Sequence, residues 1–121
     1  MRAKNLMESF KFASQGLAYS FKTQRNFRIH CLATIALLLL LLLIEFALWE
    51  FLFLLSAAFA VLITELFNTS IEKTIDLYTS KFHPLAKIAK NCAAAAVLMA
   101  AVYAFIVGLV VILPRLMGMG R

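Results

Sequence analysis

The chain has 121 residues, of which 64% are hydrophobic and 15% are charged, with a formal net charge of +6. A soluble domain of this length needs more polar surface, because most of its residues would contact water, so the composition indicates an integral membrane protein. Ten of the twelve basic residues lie in two segments. This clustering is typical of membrane topology, and no nucleic acid partner is expected.

The first predicted element is an amphipathic helix over residues 3–22. One face is apolar and aromatic, and nearly the opposite face carries Lys4, Lys11, Gln15 and Lys22. A basic stripe opposite an aromatic stripe is typical of a helix that lies in the membrane interface, with its ammonium groups toward anionic headgroups. A helix packed against protein is the alternative, and the two are compatible.

Three apolar segments follow, each long enough to cross a hydrocarbon core of ~30 Å. The predicted transmembrane helices span about residues 27–47, 50–78 and 85–113. The second has no helix breaker before Tyr78, so its last turns are expected to extend into the cytoplasm. Pro84 can open the third helix, and Pro114 is expected to end it. The sequence predicts one all-α membrane domain over residues 1–121, with an interfacial helix before three transmembrane helices.

The charge distribution predicts the orientation of these helices. Basic residues precede the first apolar segment and recur between the second and third, whereas the first loop carries only Glu45 and Glu50. By the positive-inside rule, the N-terminus and the 68–91 segment are cytoplasmic and the C-terminus is outside. Arg115 and Arg121 then lie outside, against the trend.

The polar residues of the second transmembrane helix share one face. Glu65, Glu72 and Asp76 are spaced by seven and four residues, and Asn68 lies on the same flank. A charged residue inside a membrane helix costs roughly 2.5–3.5 kcal/mol, and therefore marks function by default. Glu72 and Asp76 alone could be solvated residues of the extension, but Glu65 follows the apolar run almost at once. A bound divalent cation would relieve the repulsion along this face.

Two motifs of the chain resemble those of a known family. No glycine-rich nucleotide motif is present, so any nucleotide site must be built from side chains on helices together with Mg²⁺. The signature of the prokaryotic diacylglycerol kinase and undecaprenol kinase family is similar to Glu65-x-x-Asn68-Thr69-Ser70-Ile71-Glu72-x-x-Ile75-Asp76. A second family block is similar to His83-Pro84-Leu85-Ala86-Lys87-x-Ala89-Lys90. Arg25-Asn26-Phe27 and the number of spans also match, so the resemblance covers essentially the whole chain.

The resemblance implies an ATP- and Mg²⁺-dependent kinase of a membrane lipid alcohol, either diacylglycerol or undecaprenol. Glu65 matches the general base that takes the proton of the lipid hydroxyl, and Arg28 is expected to join it at the lipid substrate. Glu72 matches a ligand of Mg²⁺. The expected nucleotide-binding residues are Phe12, Gln24, Asn68, Glu72, Asp76, Lys81, Phe82, His83, Lys90 and Asn91.

The resemblance also implies the setting of the enzyme. Members of this family are multi-pass proteins of the bacterial inner or plasma membrane. They form homotrimers in which neighbouring protomers share active sites. This agrees with the size of the chain, because three thin helices cannot enclose ATP and a lipid headgroup alone.

Two positions depart from the family pattern. Gln24 stands where many relatives have a glutamate that is a second metal ligand, and Asn91 stands where an aspartate usually follows the lysine equivalent to Lys90. Neither residue supplies charge, so weaker metal binding and lower activity are expected. A catalytically weakened kinase homologue, or a membrane partner without enzymatic activity, is therefore an alternative. A small transporter or channel subunit, with Glu65 as its ion-binding carboxylate, is another.

The lipid is left open by the motifs. Diacylglycerol and undecaprenol both present a primary hydroxyl at the membrane interface. The His83-Pro84-Leu85-Ala86-Lys87 form resembles the undecaprenol-type members more than the diacylglycerol-type members.

Overall fold

The computed structural model describes residues 2–118, and Arg121 lies outside this range. Its elements are the helices α1 (Leu6–Thr23), α2 (Arg25–Leu43), α3 (Leu48–Tyr78) and α4 (Pro84–Leu116). Helices α2, α3 and α4 are long and apolar enough to cross a membrane. The predicted fold class, an all-α membrane protein with a helix before three transmembrane helices, is confirmed.

A single residue separates α1 from α2. Gln24 is extended, with φ −107° and ψ 111°, and its backbone N–H donates to the carbonyl of Ser20. The Arg28 side chain donates from Nη1 to the carbonyls of Phe21 and Lys22, at 3.0 and 2.9 Å. These carbonyls lack partners within α1, because the last turn of a helix leaves its C=O groups unpaired. Arg28 therefore holds the end of α1 against the start of α2.

Helices α3 and α4 form an antiparallel pair, joined by the short loop after Tyr78. Leu54 and Ala57 of α3 pack against Val107 and Val111 of α4, and this cluster is the buried core. Polar contacts also join the two helices at three successive levels. The pairs are Glu50 with Arg115, Ser56 with Tyr103, and Asp76 with Lys90.

The pair of Glu50 and Arg115 lies at the end of α3 and α4 that is remote from the 68–91 segment. The Arg115 guanidinium donates to both oxygens of the Glu50 carboxylate. Glu50 also accepts the backbone N–H of Ala47 at 2.7 Å, and Arg115 lies 5.9 Å from the centre of the Phe46 ring. A buried charge requires a partner with matching geometry. Arg115 departs from the positive-inside trend of the sequence. Its structural role is to hold Glu50, which in turn binds the backbone of the loop between α2 and α3.

The first transmembrane helix ends earlier than the sequence predicts. It runs from Arg25 to Leu43, whereas the prediction placed it over about 27–47. Helix α3 already begins at Leu48, two residues before its predicted start. The four residues between them must therefore reverse the chain, which a continuous helix cannot do.

Pro114 does not end α4. The helix continues to Leu116, and the backbone N–H of Met117 donates to the carbonyl of Leu113 at 3.0 Å. Proline removes one backbone donor and clashes with the carbonyl of the preceding turn. The missing hydrogen bond affects only one turn, and the backbone N–H groups after Pro114 complete the last turn of the helix.

Candidate active site

The polar part of α3 extends beyond the length that a membrane crossing needs. Helix α3 has 31 residues, which correspond to about 46 Å. The hydrocarbon core of a bilayer is only about 30 Å thick. The apolar residues begin at the N-terminal end of α3, so Glu65 comes close to the boundary of the apolar layer. Glu72 and Asp76 then lie beyond that layer.

Burial decreases along the carboxylate face of α3. The Glu65 side chain is 5% exposed and that of Asp76 is 51% exposed. Glu72, between them, is of intermediate exposure. The face thus begins with a buried carboxylate near the end of the apolar run and ends with an exposed one. Such a gradient suits a reaction between an apolar molecule and a charged, water-soluble one.

The Glu65 side chain is buried, and α2 lies beside it. Its Oε1 atom is buried and accepts no hydrogen bond among the described residues. The nearest partner is Nε2 of His30, on α2, at 3.6 Å. The Thr69 hydroxyl donates to the backbone carbonyl of Glu65 at 3.0 Å and leaves the carboxylate alone. A buried carboxylate with unused acceptor capacity can take a proton from a hydroxyl brought to it.

Asn68 and Glu72 form the next polar level. The Asn68 Nδ2 atom donates to Oε1 of Glu72 at 3.2 Å, while Asn68 Oδ1 is buried without a partner. Both side chains offer oxygen atoms, the ligands that Mg²⁺ prefers. Within residues 2–118, no group of three His, Cys, Asp or Glu side chains lies close enough to hold a metal ion. A Mg²⁺ ion bound by Glu72 would therefore need further oxygens, and phosphates or water commonly supply them.

A cavity of about 490 Å³ lies at the turn between α3 and α4. It gathers six of the candidate residues from the sequence, together with the basic Lys87. Those six are Asp76, Lys81, Phe82, His83, Lys90 and Asn91. The N-terminus of α4 opens into the same region, and His83 Nδ1 accepts the backbone N–H of Leu85 at 3.2 Å. Lysines and a helix N-terminus both favour anionic groups such as phosphates.

Asp76 and Lys90 connect the cavity to the carboxylate face. Lys90 Nζ donates to Asp76 Oδ1 at 2.6 Å. Asp76 lies beyond the apolar layer, and this hydrogen bond holds the pKa of its carboxyl below the usual range. Asp76 is therefore ionised near neutral pH and orients the Lys90 ammonium group. A phosphate that binds Lys90 must share this ammonium group with Asp76 or replace Asp76 as its partner.

Three candidate residues lie apart from both this cavity and the carboxylate face of α3. Phe12 is on α1, is 39% exposed, and is absent from the cavity lining. Gln24 is at the junction of α1 and α2, where its side-chain amide donates to the Thr23 hydroxyl at 3.3 Å. Arg28 binds the last carbonyls of α1, as described above. No hydrogen bond among the described residues joins Gln24 to Glu72.

His30 was not selected from the sequence, although it lies beside Glu65 in the structure. Its signal is weak, because one histidine near the start of an apolar helix has no partner within reach in the sequence. The useful signal is its position, one turn after Phe27. Phe27 is buried, so this face of α2 meets the neighbouring helices.

Comparisons with known proteins agree with these features. Residues 11–112 match the family described as prokaryotic diacylglycerol kinase. A diacylglycerol kinase of Synechocystis sp. is 43% identical over 97% of this chain and 67% of its own length. An undecaprenol kinase of Bacillus subtilis is 44% identical over 90% of this chain and 89% of its own. A diacylglycerol kinase of Helicobacter pylori is 35% identical over 83% of this chain and 78% of its own.

These matches extend over nearly the whole fold and confirm the resemblance of the two sequence motifs. They include most of α1, the carboxylate face of α3 and the cavity at the α3–α4 turn. The relatives named above are all lipid kinases, which does not favour a transporter or channel subunit. The chain therefore belongs to the prokaryotic diacylglycerol kinase family and is a lipid kinase.

Proposed function

We propose that the chain transfers the γ-phosphoryl group of ATP to the primary hydroxyl of diacylglycerol or undecaprenol in the membrane. The observation that carries this proposal is the gradient along α3, from buried Glu65 at the membrane boundary to the basic cavity in solvent. A lipid hydroxyl reaches the first end from the bilayer, and ATP reaches the second end from water. The names of the relatives support both lipids as candidates.

Glu65 is the general base in this proposal. It accepts the proton of the lipid hydroxyl as the oxygen attacks the γ-phosphorus. A new P–O bond to the lipid forms, the P–O bond to ADP breaks, and ADP leaves with that electron pair. Phosphoryl transfer of this kind depends on positioning and charge neutralisation, so a sparse site is sufficient. Burial of Glu65 also excludes water, which would otherwise compete with the lipid hydroxyl for the carboxylate.

The nucleotide binds at the wetter end of the site. Glu72 and Gln24 would hold Mg²⁺, with Asn68 beside Glu72. Bound Mg²⁺ supplies positive charge next to the phosphates. Lys81 and Lys90 offset the remaining phosphate charge, while the other residues of the cavity hold the nucleotide. Phe12 would flank it from α1.

The site is proposed to be completed by a neighbouring protomer in a homotrimer. Two observations support this arrangement. The 490 Å³ cavity is an open groove at the end of one helical hairpin. Gln24 and Phe12 lie on or beside α1, apart from that groove. A second protomer could bring its α1 and the α1–α2 junction to the groove of the first and enclose ATP.

Lipid-stimulated ATP consumption by the purified protein tests the proposed function. The protein in detergent or liposomes receives MgATP with diacylglycerol, with undecaprenol, or with a lipid that has no free hydroxyl. We expect ADP and the phosphorylated lipid in equal amounts with at least one of the two alcohols. No stimulation by either alcohol would contradict the proposal and favour a degenerate homologue. The ratio of the two rates identifies the substrate.

The orientation is proposed to be cytoplasmic for the N-terminus and the α3–α4 loop, and external for the C-terminus, in a bacterial inner or plasma membrane. A cysteine introduced at Lys81 should react with a membrane-impermeant reagent only after the cells are opened. A cysteine at Glu45 should react in intact cells. A background in which Cys31 and Cys92 are replaced by alanine removes competing thiols. Labelling of position 81 in intact cells would reverse the orientation.

The departures at Gln24 and Asn91 predict a measurable change in metal dependence. Gln24→Glu adds a carboxylate where the family has a metal ligand, so the Mg²⁺ concentration for half-maximal activity should fall. Asn91→Asp places its charge beside Lys90, so it should change turnover or the apparent ATP affinity instead. The measurement is lipid-kinase activity across Mg²⁺ and ATP titrations for both single variants and the double variant. An unchanged Mg²⁺ dependence in Gln24→Glu would place residue 24 outside the metal shell.

A further inference from the structure

His30 is the histidine of α2, and the proposed reaction leaves it without a role. Its side chain is 31% exposed, whereas that of Glu65 is 5% exposed. Its Nε2 atom lies 3.6 Å from Glu65 Oε1, the buried oxygen that accepts no hydrogen bond among the described residues. The distance exceeds that of a hydrogen bond by less than 1 Å, so a small rotation of either side chain would close it.

Glu65 needs such a partner for a physical reason. A buried carboxylate without a donor is unfavourable, and buried acids commonly avoid the penalty by staying protonated. A protonated carboxyl cannot serve as a general base. An N–H group directed at one oxygen would reduce the penalty and leave the second oxygen for the substrate hydroxyl.

Three other charged side chains on α2, α3 and α4 have partners of their own. Arg28, two residues before His30, donates to the carbonyls at the end of α1. Glu72 accepts from Asn68, and its negative charge would repel Glu65. Lys90 is paired with Asp76 at the far end of the face. Among the basic side chains that the structure describes, His30 is the one within ion-pair distance of the Glu65 carboxylate.

We infer that His30 is a positioning residue for the general base, whose Nε2–H group binds Glu65 Oε1 and directs the second carboxylate oxygen toward the lipid hydroxyl. This inference rests on the proposed role of Glu65. Helix α2 then contributes to the reaction as well as to the membrane crossing. Its polar residue lies at the same depth as the base on α3.

Replacement of His30 tests this role. His30→Ala should lower kcat for the lipid substrate by roughly 10–100-fold, the usual effect of removing a group that orients a catalytic residue. The KM for ATP should stay within about twofold, because the nucleotide cavity is formed by other residues. His30→Gln retains an N–H donor and should recover part of the loss. Thr34→Val, one turn further along α2, is the matched control and should keep the original turnover.

Two further measurements separate positioning from a general effect on folding. Imidazole added to the His30→Ala protein should restore part of kcat, because the space left by the histidine ring can hold a small N–H donor beside Glu65 Oε1. Thr34→Val and the original chain should show no such gain. In the Glu65→Gln background, His30→Ala should cause no further loss, since the group it positions is already disabled.

The outcomes distinguish this inference from the proposed function. If Glu65→Gln retains turnover, Glu65 is not the base and both proposals fail. If Glu65→Gln is inactive but His30→Ala has the original kcat, the role of His30 alone is refuted. A loss in His30→Ala that neither imidazole nor glutamine relieves would make His30 a packing residue. An equal loss in both backgrounds would mean that it acts on another group.

Discussion

Replacing Glu65 by glutamine is expected to reduce lipid-kinase turnover by roughly 10²–10⁴-fold, the usual contribution of a positioned general base. Glutamine retains the size and polarity of the side chain but cannot accept the proton of the lipid hydroxyl. ATP binding should change little, because the proposed metal ligand is Glu72 and the basic residues lie in the cavity beyond it. The measurement is phosphorylated lipid formed per unit time, alongside nucleotide affinity from equilibrium binding.

The chain offers a matched control for this substitution. Glu45 is an exposed carboxylate in the loop between α2 and α3, far from the candidate site. Glu45→Gln makes the same chemical change there and should keep the original turnover. Both variants should elute from size-exclusion chromatography in detergent like the original chain. Normal turnover in a folded Glu65→Gln protein would refute the role of the base.

Replacing Glu72 by glutamine should act on metal dependence. The amide is similar in shape to the carboxylate but carries no charge, and Mg²⁺ prefers charged oxygen ligands. We expect turnover at a fixed, low Mg²⁺ concentration to fall roughly 10–100-fold, with a higher Mg²⁺ concentration for half-maximal activity. High Mg²⁺ should recover part of the loss. The measurement is a Mg²⁺ titration of activity at saturating lipid and ATP.

The two glutamate substitutions should therefore differ in kind. Excess Mg²⁺ should not restore Glu65→Gln, because the missing group accepts a proton. It should partly restore Glu72→Gln, because mass action compensates for a weakened site. A Glu72→Gln variant with the original Mg²⁺ dependence would remove Glu72 from the metal shell. Equal recovery of both variants by Mg²⁺ would mean that the two residues share one role.

The helices and the polar face of α3 follow from the sequence alone. Apolar length predicted three transmembrane segments, because about 20 residues are needed to cross a bilayer. The spacing of Glu65, Glu72 and Asp76 predicted a shared face, because 3.6 residues complete one helical turn. These properties depend on residues close together in the chain. Periodicity and length are sufficient to predict them.

Contacts between helices depend on how the helices pack. Asp76 pairs with Lys90 and Glu50 pairs with Arg115 because α3 and α4 are antiparallel and packed together. In the sequence, Arg115 is an exception to the positive-inside rule. Its partner, Glu50, could not be identified there because it lies 65 residues away in the chain. Local periodicity gives the face on which a residue lies, but it does not give the helix that the face meets.

For the same reason, the sequence did not predict the contacts near Glu65 and at the helix ends. His30 becomes a candidate partner only when α2 packs against α3, and Arg28 caps α1 only because Gln24 turns the chain sharply before α2. The helix past Pro114 continues because later donors complete its last turn. Each of these features depends on how one element is placed against another. That placement is set by packing over the whole chain, and no short pattern of residues encodes it.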